Sequence, residues 1–290
     1  MKTLIAALAL GAGLLPPLSA SAAPRTIQLE AATATVSGTG SRAILLLPGL
    51  GCGPYEFDGI APELAAKYAV YTLKFAGFDG AAPVKPPYLD AFSRSVADLI
   101  AREHLTKPIL IGHSLGGHLA LRVAATVPAN IGGVLVIDAL PLFPLAQPGE
   151  TPESRQRGAA AFRDALASVP DDKYTAQAKY FIAQLVTDPQ NVDIVTQHQL
   201  AGDRATIAGA SYEMALEDLG PSLPKIVAPV EVLAPATDDA SAAQVAAFYT
   251  ALYKGTPHLH VDAIAPSKHF IMYDQPEKFA KAVDAFVASS

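Results

Sequence analysis

From Ala43 onward the chain alternates between two hydrophobic rhythms. Short, near-continuous apolar runs recur at Ile44–Leu47, Val70–Phe75, Ile109–Ile111, Gly133–Ile137, Val230–Leu233 and Leu259–Ile264. Runs with little polar alternation are expected as strands covered on both faces. Between them the apolar period lengthens to three and four. Asp90 to Leu105 places Phe92, Val96, Leu99 and Ile100 on one helical face. Leu115, Leu119, Val123 and Val127 follow at four-residue spacing until Pro128, and Pro276 opens a last helix with Phe279, Val283, Phe286 and Val287 inward. A further helix closes over Glu63–Tyr68. Strands separated by helices predict an α/β fold, a mostly parallel twisted sheet with helices on both faces. Residues 25–39, rich in Thr and Ala, fit one or two antiparallel edge strands.

One stretch breaks the alternation. Pro141 to Pro224 contains no convincing strand and begins with Pro141, Pro144, Pro148 and Pro152. Helical patterns follow at Arg155–Val169, Tyr174–Val186, Pro189–Leu200 and Arg204–Leu219. Asp188-Pro189 has the form of a cap followed by a first helical residue, and Asp203 is a second cap. Residues 141–224 are therefore expected as a helical cap or lid inserted into a core built from 23–140 and 225–290. The alternative is a helical decoration packed away from any site.

Composition adds bounds. The 290 residues are 51% apolar and only 17% charged, against about 25% charged in an average soluble domain. The core is ample and the surface lightly charged. A net charge of −6 without a basic run argues against nucleic-acid binding and gives no reason to expect attraction to anionic lipid. Met1-Lys2, the apolar stretch Leu4–Leu15 and the small residues Ala20-Ser21-Ala22 form a signal-peptide pattern over 1–22. Cleavage after Ala22 would export the chain to the periplasm or medium. The apolar stretch is too short to span a bilayer, so no stable membrane insertion is expected after cleavage. Cys52 is the single cysteine, which excludes an internal disulfide.

The candidate chemistry starts at residues 108–117, Pro-Ile-Leu-Ile-Gly-His-Ser-Leu-Gly-Gly. Gly-x-Ser-x-Gly between a buried strand and an amphipathic helix is a sharp turn with Ser114 at its tip. Gly112 and Gly116 leave room for it. A serine hydroxyl needs a base, and the base needs an orienting acid. Of seven histidines, His113 and His118 flank the elbow and cannot easily face its hydroxyl. His104 ends a helix, and His198 lies in the cap. His258 and His260 share a strand face without a third metal ligand, so no metal site is expected. His269 follows the last strand in a loop, where active-site residues of parallel sheets collect. It is the base candidate. Asp238, after the strand Val230–Pro235, is the preferred acid. Asp239 and Asp138 are the alternatives, each also at a strand end.

The order Ser, Asp, His along the chain, with these motifs, resembles the α/β-hydrolase superfamily in the branch with a helical cap after the sixth strand. The resemblance covers residues 40 to 288. Gly112–Gly117 is similar to the nucleophile elbow, Val230–Asp238 to the strand and acid turn, and His269-Phe270 with Asp274, Pro276 and Phe279 to the histidine loop and last helix. Leu47-Pro48-Gly49-Leu50 falls where that family has His-Gly. The resemblance thus implies an oxyanion hole made by the backbone N–H groups of Leu50 and Leu115. Pro48 in place of histidine and the glycine-rich run Gly49–Gly53 leave Leu50 or Gly51 as the first donor.

The expected function is hydrolysis of a carboxylic ester, or a related acyl bond, of a small apolar substrate through an acyl-enzyme. No cofactor is implied, and the expected partner is a small acyl substrate. Serine at the elbow sets the chain apart from the family's dehalogenases and epoxide hydrolases, which carry aspartate there. Alternatives are a ligand-binding or sensing protein on the same scaffold, a C–C bond hydrolase, an acyltransferase or a lipase. Phe143, Phe162, Tyr174, Tyr180, Phe181, Tyr212 and Met214 are the bulky candidates for the cap's pocket wall. Cys52 either lines that pocket or is an inert small hydrophobe.

Overall fold

Strands β3 (Ala43–Leu47), β5 (Ile109–His113) and β6 (Gly133–Ile137) bury every residue, as runs without a polar face require. The computed structural model describes residues 25–142 and 151–290. The export pattern at 1–22 and Phe143 lie outside them. Five more strands complete one sheet: β1 (Arg25–Gln28), β2 (Ala32–Ser37), β4 (Ala69–Phe75), β7 (Val230–Pro235) and β8 (Leu259–Ile264). The strand order is β1-β2-β4-β3-β5-β6-β7-β8. The β1–β2 and β2–β4 pairs are antiparallel, and every pair from β4 to β8 is parallel. The expected mostly parallel sheet is therefore present, with two short strands from residues 25–37 at its edge.

Alternation along each strand feeds two cores. Leu45 and Leu47 join Leu110, Val134 and Val136 on one face. There they meet Phe92, Val96 and Leu99 of α2 (Tyr88–Arg102), which follows the short α1 (Ala61–Ala65), and Leu119 and Val123 of α3 (Leu115–Thr126). Ile44 and Leu46 join Ile109, Ile111, Leu135 and Ile137 on the other. Phe279, Val283, Phe286 and Val287 of the C-terminal helix (Pro276–Ser289) cover them. β8 differs from its expected burial. As the edge strand it leaves His260 and Asp262 exposed, and His258 just before it is exposed too.

Among the described residues, four α-helices lie between β6 and β7. In chain order after α3 they are α4 (Pro152–Ser168), α5 (Asp171–Leu185), α6 (Pro189–Ala201) and α7 (Arg204–Leu216). α4 packs on α7 and α5 on α6. Asp188 caps α6 by accepting the Gln190 N–H at 2.7 Å, and Asp203 caps α7 by accepting that of Thr206 at 2.7 Å. The two ends of this insertion are joined: the Leu219 N–H donates to Pro141 O at 2.9 Å, and Leu142 pairs with Asp218 in an isolated bridge. Helix α8 (Ala242–Leu252) follows β7 and contributes Tyr249 to the first core.

Candidate active site

Ser114 stands between the last residue of β5 and the first of α3, with φ +52° and ψ −119°. A non-glycine residue there is strained by about 1–3 kcal/mol. Its N–H donates to Ile137 O at 2.9 Å, tying the elbow to β6. The flanking glycines are required by contact. A Cβ on Gly112 would lie 2.3 Å from Gly116 O, and one on Gly116 would lie 2.0 Å from Leu47 O. No side chain fits where α3 passes this close to β3 and β5.

His269 sits in the loop after β8, which is tied down by polar bonds. Lys268 donates from Nζ to Ala183 O at 2.9 Å and Val186 O at 3.0 Å. Its N–H donates to Asp274 at 2.7 Å, and the Phe270 N–H donates to Leu185 O at 3.2 Å. The imidazole Nδ1 lies 2.5 Å from Asp138 Oδ2. Asp138 follows β6 with φ +41°. Its N–H donates to Leu233 O at 2.9 Å, and Tyr249 Oη donates to its other carboxylate oxygen. Tyr253, the residue after Leu252, donates from Oη to Ala139 O at 2.8 Å and holds the same turn.

The electrostatics of this pair are mutual. Burial works against a charged imidazole, yet Asp138 outweighs it and His269 stays protonated above its ordinary range. Burial likewise works against the Asp138 carboxylate, but His269 and the Tyr249 hydroxyl outweigh it and hold its pKa below the usual value. A negative group fixed against the far ring nitrogen sets the tautomer and supports an imidazolium.

Asp238 is not at this site, and the preferred acid is corrected to Asp138. Asp238 and Asp239 are exposed. The Asp238 carboxylate accepts the Ser241 N–H at 2.8 Å, closing a surface turn. The cause is the backbone after β7. Ala236 N–H donates to Ile264 O at 3.0 Å, and Ser267 N–H donates to Ala236 O at 2.8 Å. These bonds hold the main chain of Ala236 against the end of β8 and its loop, and residues 237–240 beyond it are exposed.

Ser114 and His269 both border a cavity of about 430 Å³, together with Gly49 and Leu50 of the loop after β3. The inserted helices supply most of the remaining wall. Phe162 and Leu166 come from α4, Tyr174, Phe181 and Ile182 from α5, and Ile207 and Met214 from α7. Four of the bulky residues expected to line the pocket do so. Tyr180 is instead exposed, and Tyr212 lies beneath the Arg163 guanidinium at 4.7 Å. From α6, Gln199 reaches the oxyanion-loop candidate: a Cβ on Gly51, at φ +71°, would meet its amide at 2.7 Å. Leu50 lines the cavity, and Leu115 opens α3, where the first N–H groups lack intrahelical acceptors. Buried Cys52 lines the wall, and burial pushes its thiol pKa up, away from reactivity.

Three features went unnoticed in the sequence. Tyr249 supports Asp138 from α8, a position resembling any helical core residue. His198, stacked on Tyr55 at 3.8 Å, binds Asp79 at 2.6 Å and so links α6 to the core. Glu56, in a short turn after β3 (Pro54–Phe57), is buried and bonded to His113. Among the described residues no group of three His, Cys, Asp or Glu could hold a metal ion, and no helix is long and apolar enough to cross a membrane.

Residues 44–282 match the model of the Alpha/beta hydrolase family. The chain belongs to the alpha/beta hydrolase family. Among curated relatives, the Magnesium-chelatase 30 kDa subunit of Rhodobacter capsulatus is 29% identical over 227 residues, 70% of this chain and 73% of that one. A Pimeloyl-[acyl-carrier protein] methyl ester esterase of Yersinia enterocolitica is 22% identical over 262 residues, 88% and 96% of the two chains. Matches to uncharacterized proteins of Mycobacterium bovis and Mycobacterium tuberculosis span only 30% of those proteins' length. Among solved structures, a thermophilic esterase from Thermogutta terrifontis superposes with a TM-score of 0.72 at 20% identity, covering 91% of this chain and 98% of that one. That likeness shows the shared alpha/beta hydrolase fold.

Proposed function

We propose that this alpha/beta hydrolase is a serine esterase. It would cleave carboxylic esters of small, uncharged, apolar substrates through an acyl-enzyme. The observation that carries the reading is the meeting of Ser114, on a strained elbow, with the His269–Asp138 pair at one apolar cavity. The esterase relatives support the choice of bond. In the proposed reaction His269 accepts the Ser114 proton as the hydroxyl oxygen attacks the ester carbonyl. The backbone N–H groups of Leu50 and Leu115 hold the resulting oxyanion, each donor worth about 2.7–4 kcal/mol. His269 then protonates the leaving alcohol, and the acyl group stays on Ser114. Water gives a proton to His269, attacks the acyl carbon and releases the acid, returning the proton to Ser114.

The substrate class follows from the wall. Phe162, Leu166, Phe181, Ile182 and Met214 offer no partner to a charge, and the polar side chains that the insertion adds, Tyr174, Gln177, Gln199 and Ser211, are neutral. Burying an unpaired charge there is strongly unfavourable. The pattern of residues 1–22 supports export, which the mass of the mature chain would check. The test of function is turnover of p-nitrophenyl esters of rising chain length, with fluorophosphonate labelling read by mass. Expected is labelling at Ser114 and loss of turnover in Ser114→Ala at unchanged melting temperature. Folded protein that neither labels nor turns over any ester would overturn the reading in favour of a ligand-binding role.

A further inference from the structure

Glu56 and His113 form a buried pair that the proposed reaction does not use. Their side chains are 0% and 1% exposed. Glu56 Oε2 accepts the Gly49 N–H at 2.8 Å, and Glu56 Oε1 lies 2.9 Å from His113 Nδ1. His113 Nε2 lies 3.2 Å from His269 O. Three separate chain segments are thereby joined. One is the loop after β3, whose next residue is Leu50. The second is the end of β5, whose next residue is Ser114. The third is the main chain of His269 itself.

The hydrogen bonds fix a proton count. A carbonyl oxygen only accepts, so His113 Nε2 carries hydrogen. The contact between Nδ1 and Oε1 then holds one proton, shared between a carboxylate and an imidazole. Together the two groups carry no net charge. Sequestering such a pair costs several kcal/mol per ion before their mutual attraction is counted, and apolar replacements of similar volume are often neutral or stabilising. Apolar surroundings are at hand: the His113 ring packs 4.7 Å from Phe270, and Phe57 beside Glu56 is in the core. Stability therefore gives no reason for a polar bridge here, whereas the placement does.

We infer that Glu56 and His113 are positioning residues that fix the oxyanion loop, the Ser114 elbow and the His269 main chain at one mutual spacing. The pair touches no substrate bond. It acts through Gly49 and His269, setting where the Leu50 N–H and the imidazole stand relative to the serine. The inference rests on the esterase reading, and its test separates the two.

Glu56→Gln is the conservative variant. Its amide oxygen accepts the Gly49 N–H, and its NH₂ donates to Nδ1 of a neutral imidazole, so all three bonds survive. Glu56→Met and His113→Phe keep volume and lose the bridge. Each is assayed for melting temperature, for kcat and KM on a p-nitrophenyl ester, and for fluorophosphonate labelling rate. Expected is a folded Glu56→Gln within about threefold of the parent, and a kcat loss of about a hundredfold in the other two at nearly unchanged KM, the scale of a 1 Å misplacement. Should Glu56→Met not fold, Glu56→Asp, which keeps the charge but shortens the reach, carries the same test beside His113→Phe. Folded variants that keep full kcat, a loss confined to KM, or a Glu56→Gln as impaired as the bridge-breaking forms would each overturn the inference. A parent protein that neither labels nor turns over ester would instead sink the esterase reading.

Discussion

Asp138→Asn tests the site at its least expected member. The carboxylate is held on both oxygens, by Tyr249 Oη on one and by His269 Nδ1 at 2.5 Å on the other. Tyr249 donates, so an asparagine must turn its carbonyl oxygen toward the tyrosine and its NH₂ toward the imidazole. Nδ1 would then have to accept, and the ring proton would move to Nε2. In the proposed reaction that is the nitrogen which must be bare to take the Ser114 proton. The same change in serine-protease triads lowers kcat by about 10⁴, or roughly 5.5 kcal/mol of transition-state stabilisation. The fold should survive, because the amide replaces the carboxylate at equal volume and keeps both contacts. Asp238→Asn is the companion. Its side chain is exposed and bonded only within its own turn, so kcat should stay within about twofold, as for surface changes generally. The assay is kcat on a p-nitrophenyl ester at pH 8, with circular dichroism and thermal melting on both proteins. Asp138→Asn within tenfold of the parent, or Asp238→Asn as the more damaging of the two, would refute the assignment.

Four further outcomes follow from the same geometry. The acid limb of kcat/KM should rise through a pKa above the ordinary histidine value of about 6.5, since Asp138 outweighs burial at His269. The raised His269 pKa adds stability that is full below the unfolded value and fades as pH rises through the folded one. The lowered Asp138 pKa adds stability lost as pH falls through its folded value. Denaturant titrations at several pH values check both signs. Gly116→Ala should destabilise by about 1–3 kcal/mol through overpacking, because its Cβ would press on Leu47 O at 2.0 Å, and it should slow ester turnover by moving the elbow. Ser114→Gly should lose turnover while gaining about 1 kcal/mol in urea unfolding, since glycine occupies φ +52° without strain.

Some of this was legible in the sequence because it is local. Ile44–Leu47 and Ile109–Ile111 show no polar face, and that fixes them as central strands whatever their partners. Ser114 is marked by glycines two residues away on each side, a requirement of the turn itself. The acid is different. Asp138, Asp238 and Asp239 all follow apolar strands, and no period distinguishes them. The choice was made by main-chain bonds between the loops after β7 and β8, a contact between distant segments. Glu56 was hidden for a related reason. A glutamate in a Gly- and Pro-rich loop resembles a solvated charge, and only the fold brings His113 and the Gly49 N–H within its reach.

The join at the root of the four inserted helices has a practical consequence. Pro141 and Leu219 are one hydrogen bond apart, and Leu142 meets Asp218 just beyond. The insertion thus leaves and returns at a single point, three residues past Asp138. The segment between is a cassette. A different helical pair, or a short turn, could be grafted across residues 142–218 without spanning any gap in the sheet. Ser114, Asp138 and His269 all lie outside the graft, but the loop that carries His269 is bonded to Ala183, Leu185 and Val186 inside it, so an exchanged segment must return acceptors for Lys268 and Phe270.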